Sequence, residues 1–199
     1  MTAVRKVAAA DVPQVAAALG RAFHDDPVIS WFLPDESRRS ERAARWFSVQ
    51  MARFVLQHGY CYTTDDTVGA ALWAPPGKWL VSMGDQLRIL PQLIGIFGRR
   101  LGAGFRAFNL IEKHHPRNPH YYLAVLGTEP AHQGKGIGSA LMQPVLELCD
   151  REGVPAYLES SKERNVAYYR RHAFEVTEEL DLPGGGPPVW LMWREPRQL

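Results

Sequence analysis

The chain is short of thiols, of net charge and of long apolar runs. Its 199 residues hold only two cysteines, Cys61 and Cys149, far apart and with no second thiol or paired histidine beside them. That excludes a disulfide framework and a structural zinc site, and it suits a reducing compartment. Lysine and arginine number 23 against 21 aspartates and glutamates, a formal net charge of +2 with no basic block. So weak a field excludes the electrostatic footprint of a nucleic-acid binder. No stretch reaches the roughly 18 consecutive apolar residues of a membrane span, and Met1 to Ala10 lack the apolar run of a signal peptide. The expectation is a cytoplasmic protein with no membrane or nucleic-acid partner. Internal repeats and interdomain linkers are also missing, so residues 1–199 read as one domain, long enough to bury a core and form a cleft.

What is present is a mixed strand and helix pattern. Val4 to Val7 reads as a short strand, and Asp11 caps a helix whose apolar positions Val12, Val15, Ala16, Leu19 and Phe23 recur at helical spacing. Phe23-His24-Asp25-Asp26-Pro27 ends it. A second helix spans Glu36 to His58, with Trp46, Phe47, Met51, Phe54 and Val55 as its apolar stripe and Gly59 as its left-handed stop. Tyr60 to Thr63 and Val68 to Trp73 form a hairpin around Thr64-Asp65-Asp66-Thr67. Between Ala74 and Pro119 the prolines Pro75, Pro76 and Pro91 interrupt two helices, read as core cover in preference to a moving lid.

Tyr121 to Gly127 is a near-continuous apolar run, expected to be a central strand buried on both faces. Gly136 to Glu152 follows as an amphipathic helix, ended by Gly153 and Pro155, and Ala156 to Glu159 is the next strand. Strand, helix and strand in that order predict a right-handed crossover and parallel pairing. A short helix from Asn165 to His172 and strands Phe174 to Leu182 and Val189 to Trp193 complete a mixed sheet.

The most informative segment, Gly127 to Ser139, lies between the buried strand and the amphipathic helix. Gly134, Gly136 and Gly138 clear side chains from a helix start whose free amides carry partial positive charge, so a pyrophosphate would fit there. Lys135 could add a charge contact, or be a solvated surface lysine. A magnesium-dependent phosphate loop is excluded, because Gly136 and not Ser or Thr follows Lys135. A dinucleotide fingerprint has the wrong glycine spacing, although Glu159 stands about twenty residues downstream where its ribose-binding acid would be. A plain glycine-rich turn is the remaining alternative.

Gln133-Gly134-Lys135-Gly136-Ile137-Gly138 resembles the Gln/Arg-x-x-Gly-x-Gly/Ala signature of the GNAT acetyltransferase superfamily. The order of Tyr122 to Gly127, Pro130 to Gln133, the following helix, Tyr157 to Ser161 and Asn165 to Phe174 resembles that family too. His132 to Gly136, Leu158-Glu159 and Arg164-Asn165 with Tyr169 and Phe174 look like the puromycin N-acetyltransferase group. The likeness covers the C-terminal half best. It implies an α/β fold of GNAT type, with a mixed, mostly antiparallel sheet, a splayed central strand and helices on both faces. It also implies acetyl-CoA as co-substrate, held by Leu126, Gly127 and Thr128 along the strand, by Gln133 to Ser139 in the loop, and by Asn165 and Tyr169. One amide near Leu126 to Thr128 would polarise the thioester carbonyl. The family usually has glycine where this chain has Ala173.

Acetyl transfer needs a deprotonated amine and a proton for the departing thiolate. The resemblance places Tyr169 as the acid; a phenol titrating near 10 stays protonated at neutral pH and can donate to a thiolate whose conjugate acid titrates near 8.5. Its neighbour Tyr168 is expected to point elsewhere and pack. Glu159, at a strand end, is the first candidate for the base. Asp25 and Asp26 are an alternative for holding a cationic amine, or only a turn and cap. His114, His115 and His120 are further candidates, although their position near Pro116 reads as a loop, and no metal is assigned. The expected enzyme acetylates a small-molecule primary amine. A protein lysine or N-terminal acetyltransferase and a non-catalytic CoA-binding module stay open, as does a homodimer.

Overall fold

The computed structural model describes residues 3–80 and 83–197. Among them a seven-stranded sheet runs in the order β1-β2-β3-β4-β5-β7-β6. Its strands are β1 (Val4–Lys6), β2 (Cys61–Thr64), β3 (Gly69–Ala74), β4 (Tyr121–Thr128), β5 (Ala156–Ser160), β6 (Glu175–Asp181) and β7 (Pro188–Arg194). Only β4 and β5 pair in parallel; every other neighbouring pair is antiparallel. The helix α6 (Ile137–Glu152) makes the crossover between them, as the sequence pattern predicts. It buries Ile137, Leu141, Val145 and Cys149 at helical spacing and stops at Gly153, whose φ is +66°.

Helices cover both faces. On one, α1 (Val12–Ala22) and α3 (Glu36–Gln50) bring Val15, Leu19, Ala43 and Phe47 against Ala70, Leu72 and Val125. On the other, α6 and α7 (Glu163–Arg170) pack Leu141, Val145, Val166 and Tyr169 against Trp73, Leu123 and Leu158. The interrupted stretch forms α4 (Met83–Phe97), with Pro91 inside it, and α5 (Leu101–His114). Ala107 of α5 joins Tyr157, Leu180 and Leu191 in a third cluster, so this segment does cover core. No helix among the described residues is long and apolar enough to cross a membrane.

Two local expectations change. Asp25-Asp26-Pro27 does not simply end a helix: it starts α2 (Pro27–Phe32), with the Asp26 carboxylate accepting from the Val28 and Ile29 amides at 3.0 Å each. The predicted Glu36 to His58 helix is α-helical only to Gln50; a π turn at Met51–Val55 and a 3-10 turn at Leu56–His58 finish it before Gly59, at φ +76°.

Cys61 and Cys149 are buried and free, and burial pushes each thiol up to about 12. Native protein at pH 8 should therefore fail to react with a chromogenic disulfide reagent, and denatured protein should release two equivalents per chain. Fast reaction of either thiol in the native state would contradict this packing.

Candidate active site

The site begins where two strands part. β4 and β5 are in register only from Tyr121↔Ala156 to Leu123↔Leu158. β4 continues to Thr128 against β3, so from Ala124 onward its edge towards β5 has no ladder partner among the described residues. β3 and β4 slip by one residue here, Leu72 pairing with Val125 and Trp73 with Leu123, which leaves Ala124 as an extra residue. Such a bulge bends its strand away. A strand buried on both faces was expected; instead Ala124, Leu126 and Thr128 are half-buried, because they border the opening.

That opening is a cavity of about 540 Å³. At one end stands the start of α6. Gly134 and Gly136 have φ of +77° and +78°, a conformation costing an L-residue about 1–2 kcal/mol, and a Cβ on either would point into open space. The first intrahelical bond runs from the Ala140 amide to the Gly136 carbonyl at 3.1 Å. The amides of Ile137, Gly138 and Ser139 thus stand ahead of the helical ladder, at its positive end, with no side-chain cap. Gly138 has a different reason: a Cβ there would lie 2.7 Å from the Tyr168 hydroxyl. Gly127 is required by packing, since a Cβ would come within 2.8 Å of Leu19 and Phe23. Lys162, Arg164 and Arg171 add positive charge along the same cavity.

The lining also carries acidic and phenolic groups. Asp26 lies buried at the cavity with its carboxylate saturated by the two α2 amides and the Ser161 hydroxyl, and burial raises its pKa. Glu159 also lines the cavity; its Oε2 accepts from the Tyr122 hydroxyl at 2.7 Å. Tyr169 and Asn165, one turn apart on α7, both border the space. Burial, with Tyr168 and Asp26 nearby, pushes the Tyr169 phenol up, so it is a neutral donor at physiological pH.

The profile of the Acetyltransferase (GNAT) family matches residues 31–174. The chain belongs to that family. It is therefore an acyltransferase of the N-acetyltransferase class, built on the mixed, mostly antiparallel sheet that the resemblance implies. An uncharacterized N-acetyltransferase of Schizosaccharomyces pombe is 28% identical over 98% of this chain and 83% of its own length. A Corynebacterium glutamicum structure described as histone acetyltransferase HPA2 and related acetyltransferase superposes with a TM-score of 0.76 at 25% identity, covering 100% and 99% of the two chains. Drosophila melanogaster polyamine N-acetyltransferase, described as catalysing formation of N-acetylagmatine, has a TM-score of 0.63 at 12% identity over 98% and 100%.

Within this GNAT chain the structure gathers Leu126, Gly127, Thr128, Gln133, Gly134, Gly136, Ile137, Gly138, Ser139, Glu159, Asn165 and Tyr169 around one cavity. Lys135 is not among the lining residues: it is exposed, and its Nζ donates to the Ala131 carbonyl at 3.1 Å. Gln133 closes its own loop, Nε2 donating to the Thr128 carbonyl at 3.1 Å. Tyr168 corrects the sequence reading. It does not pack elsewhere but lines the cavity over Gly138, with its hydroxyl 3.4 Å from Ser139 Oγ and the Arg171 guanidinium 5.3 Å from its ring centre. The signal was the missing side chain at Gly138, legible only once α7 is docked.

Ala173 occupies the position where the resemblance expects glycine, and its φ is +64°. The Phe174 amide bonds the Tyr169 carbonyl at 3.2 Å around it, closing α7 directly behind Tyr169. Ala173→Gly relieves the left-handed strain at some cost in unfolded-chain entropy, so the midpoint of thermal unfolding should rise by about 1–3 °C. A fall in midpoint would show that the alanine methyl packs favourably.

Proposed function

We propose that this chain transfers the acetyl group of acetyl-CoA to the primary amine of a small molecule, as a single cytoplasmic N-acetyltransferase domain. The observation that carries the reading is the continuity of the cavity: one space joins the free amides of α6, the unpaired edge of β4 and the Glu159–Tyr169 wall. The residues present fit the co-substrate. Open space over Gly134 and Gly136 admits a pyrophosphate to the α6 amides, and the β4 edge from Ala124 to Thr128 offers main-chain groups to the amides of a pantetheine arm. Acetyl-CoA supplies the activated acyl group as a thioester. With acetyl-CoA bound, a β4 amide would polarise the reacting carbonyl, Glu159 would take one proton from the incoming ammonium, and Tyr169 would give its proton to the departing sulfur and regain one from the second N–H lost as the amide forms. His132 to Gly136, Leu158-Glu159 and Arg164-Asn165 favour the puromycin N-acetyltransferase-like group within the family.

Every group named comes from one chain. The test is calorimetry with CoA, followed by thiol release from acetyl-CoA with aminonucleosides, aminoglycosides, amino acids and polyamines. Turnover of one class supports the reading, and absence of both binding and turnover refutes it. The likeness to the Corynebacterium protein supports a second reading, acetylation of a protein amino group. Mass shifts in lysate proteins without turnover of any small amine would decide for it.

A further inference from the structure

The loop between α5 and β4, expected to be a plain connector, buries two imidazoles behind Glu159. His115 is 3% exposed and His120 is 1% exposed. Trp79 stacks on His115 with ring centres 3.6 Å apart, Tyr122 and Tyr157 meet it edge-on, and Trp193 lies against His120. The titratable groups facing this cluster are Tyr122 from β4, Tyr157 and Glu159 from β5, and Glu178 from β6, which pairs with His114 at 3.0 Å and adds to the field on Tyr157.

Donors and acceptors can be assigned link by link. His120 Nδ1 lies 2.7 Å from the Asn118 carbonyl, which only accepts, so Nδ1 carries hydrogen. Burial holds His120 below the ordinary imidazole value, so the ring is neutral at rest and its Nε2 is bare. His115 Nε2, 3.0 Å away, must then be the donor of that pair. In a neutral His115 this leaves Nδ1 bare, facing Glu159 Oε1 at 3.4 Å. Oε1 is buried and has no hydrogen-bond partner among the described residues, while Oε2 is occupied by Tyr122. Two lone pairs face each other. One added proton, on Glu159 Oε1 or on His115 Nδ1, gives this 3.4 Å ion-pair contact a hydrogen to share, with the Tyr157 hydroxyl also close to Glu159; carried on His120, it moves the His115 hydrogen from Nε2 to Nδ1 with the same result.

We propose that Glu159, His115 and His120 form one proton-holding chain with a single vacancy, filled by the proton that the acceptor ammonium gives up at Glu159. This rests on the amine acetylation proposed above. An N–H bond of the ammonium breaks, its electron pair stays on nitrogen, and the proton binds the Glu159 carboxylate, which shares it through Oε1 with His115 Nδ1. It leaves to solvent by the reverse path after the product departs, matching the one proton released per ammonium acetylated. Glu159 meets the substrate; His115 and His120 are positioning residues that share the proton it accepts.

The test has two arms. In His120→Gln, position 120 can still accept from His115 but cannot hold the proton. kcat/KM for the amine at pH 7 should fall by about tenfold to a hundredfold, and the deficit should shrink as pH rises towards the amine's own pKa. CoA affinity should stay unchanged. A deficit equal at every pH, or none, overturns the proposal. The second arm needs neither substrate nor variant folding: in wild-type protein with 15N-labelled histidine, His115 and His120 should titrate together with one shared midpoint. Independent titration of the two rings overturns the chain. Absence of turnover with every amine would refute the proposed function and leave this spectroscopic arm to decide the chain itself.

Discussion

Tyr169→Phe should lower kcat by about a hundredfold and leave the affinity for CoA unchanged. The substitution removes one oxygen from a buried ring whose packing against Phe174, with centres 6.0 Å apart, Phe preserves. Stability should therefore be nearly constant, and a thermal midpoint alongside the kinetics would show it. The reason to expect so large a kinetic effect is the state of the phenol. Burial against Tyr168 and Asp26 pushes its pKa up, so it is fully protonated across the working pH range and cannot be a base. A protonated donor beside the cavity matters most where negative charge appears, at the sulfur of the leaving thiolate. A lowered affinity with constant kcat would mean that the hydroxyl binds the co-substrate and does no more. Tyr168→Phe is the control: its hydroxyl, 3.4 Å from Ser139 Oγ at the α6 end, should affect affinity more than kcat.

The parts of this site that sequence reveals are those made locally. Gly134, Gly136 and Gly138 announce an unusual backbone at the start of an amphipathic helix, and the i,i+4 spacing of Asn165 and Tyr169 puts them on one face of another. Both features survive folding because neither depends on distant chain. Asp26-Pro27 was locally legible as well, since a carboxylate cap followed by proline is how a helix starts, but at six residues α2 has too short a stripe to declare itself. The splay of β4 was expected only through family resemblance: an apolar run has the same composition whether a strand is covered on two faces or opens onto a cavity. His115 and His120 could be named only as candidates, and their arrangement was beyond reach for a different reason. Their meaning lies in Glu159, some forty residues on, and in Trp79 and Trp193, some forty residues before and seventy after them, which only the assembled fold brings around them. Lys135, the obvious cation in the signature, proved to be the member turned away.

Gly136→Ala and Gly138→Ala should each weaken CoA binding by about tenfold or more, for unlike reasons that calorimetry and stability together can separate. At Gly136 the added methyl meets nothing within 4 Å, so the cost is conformational: φ of +78° is disfavoured for alanine by about 1–2 kcal/mol. The chain escapes that strain by turning the peptide, which swings the amides of the first α6 turn off the phosphate position. Lost affinity should therefore come with a small loss of stability. At Gly138 the backbone is ordinary helix, where alanine is intrinsically favoured, but its Cβ would stand 2.7 Å from the Tyr168 hydroxyl. Tyr168 must move, taking with it the ring that Arg171 covers and the neighbour of Ser139. Combining Gly138→Ala with Tyr168→Phe removes the colliding oxygen, so affinity should partly return, a non-additivity that only neighbours in contact produce. If the double variant binds as the sum of the singles, Gly138 is empty for the ligand's sake and not for the tyrosine's, and the phosphate itself must approach that Cα.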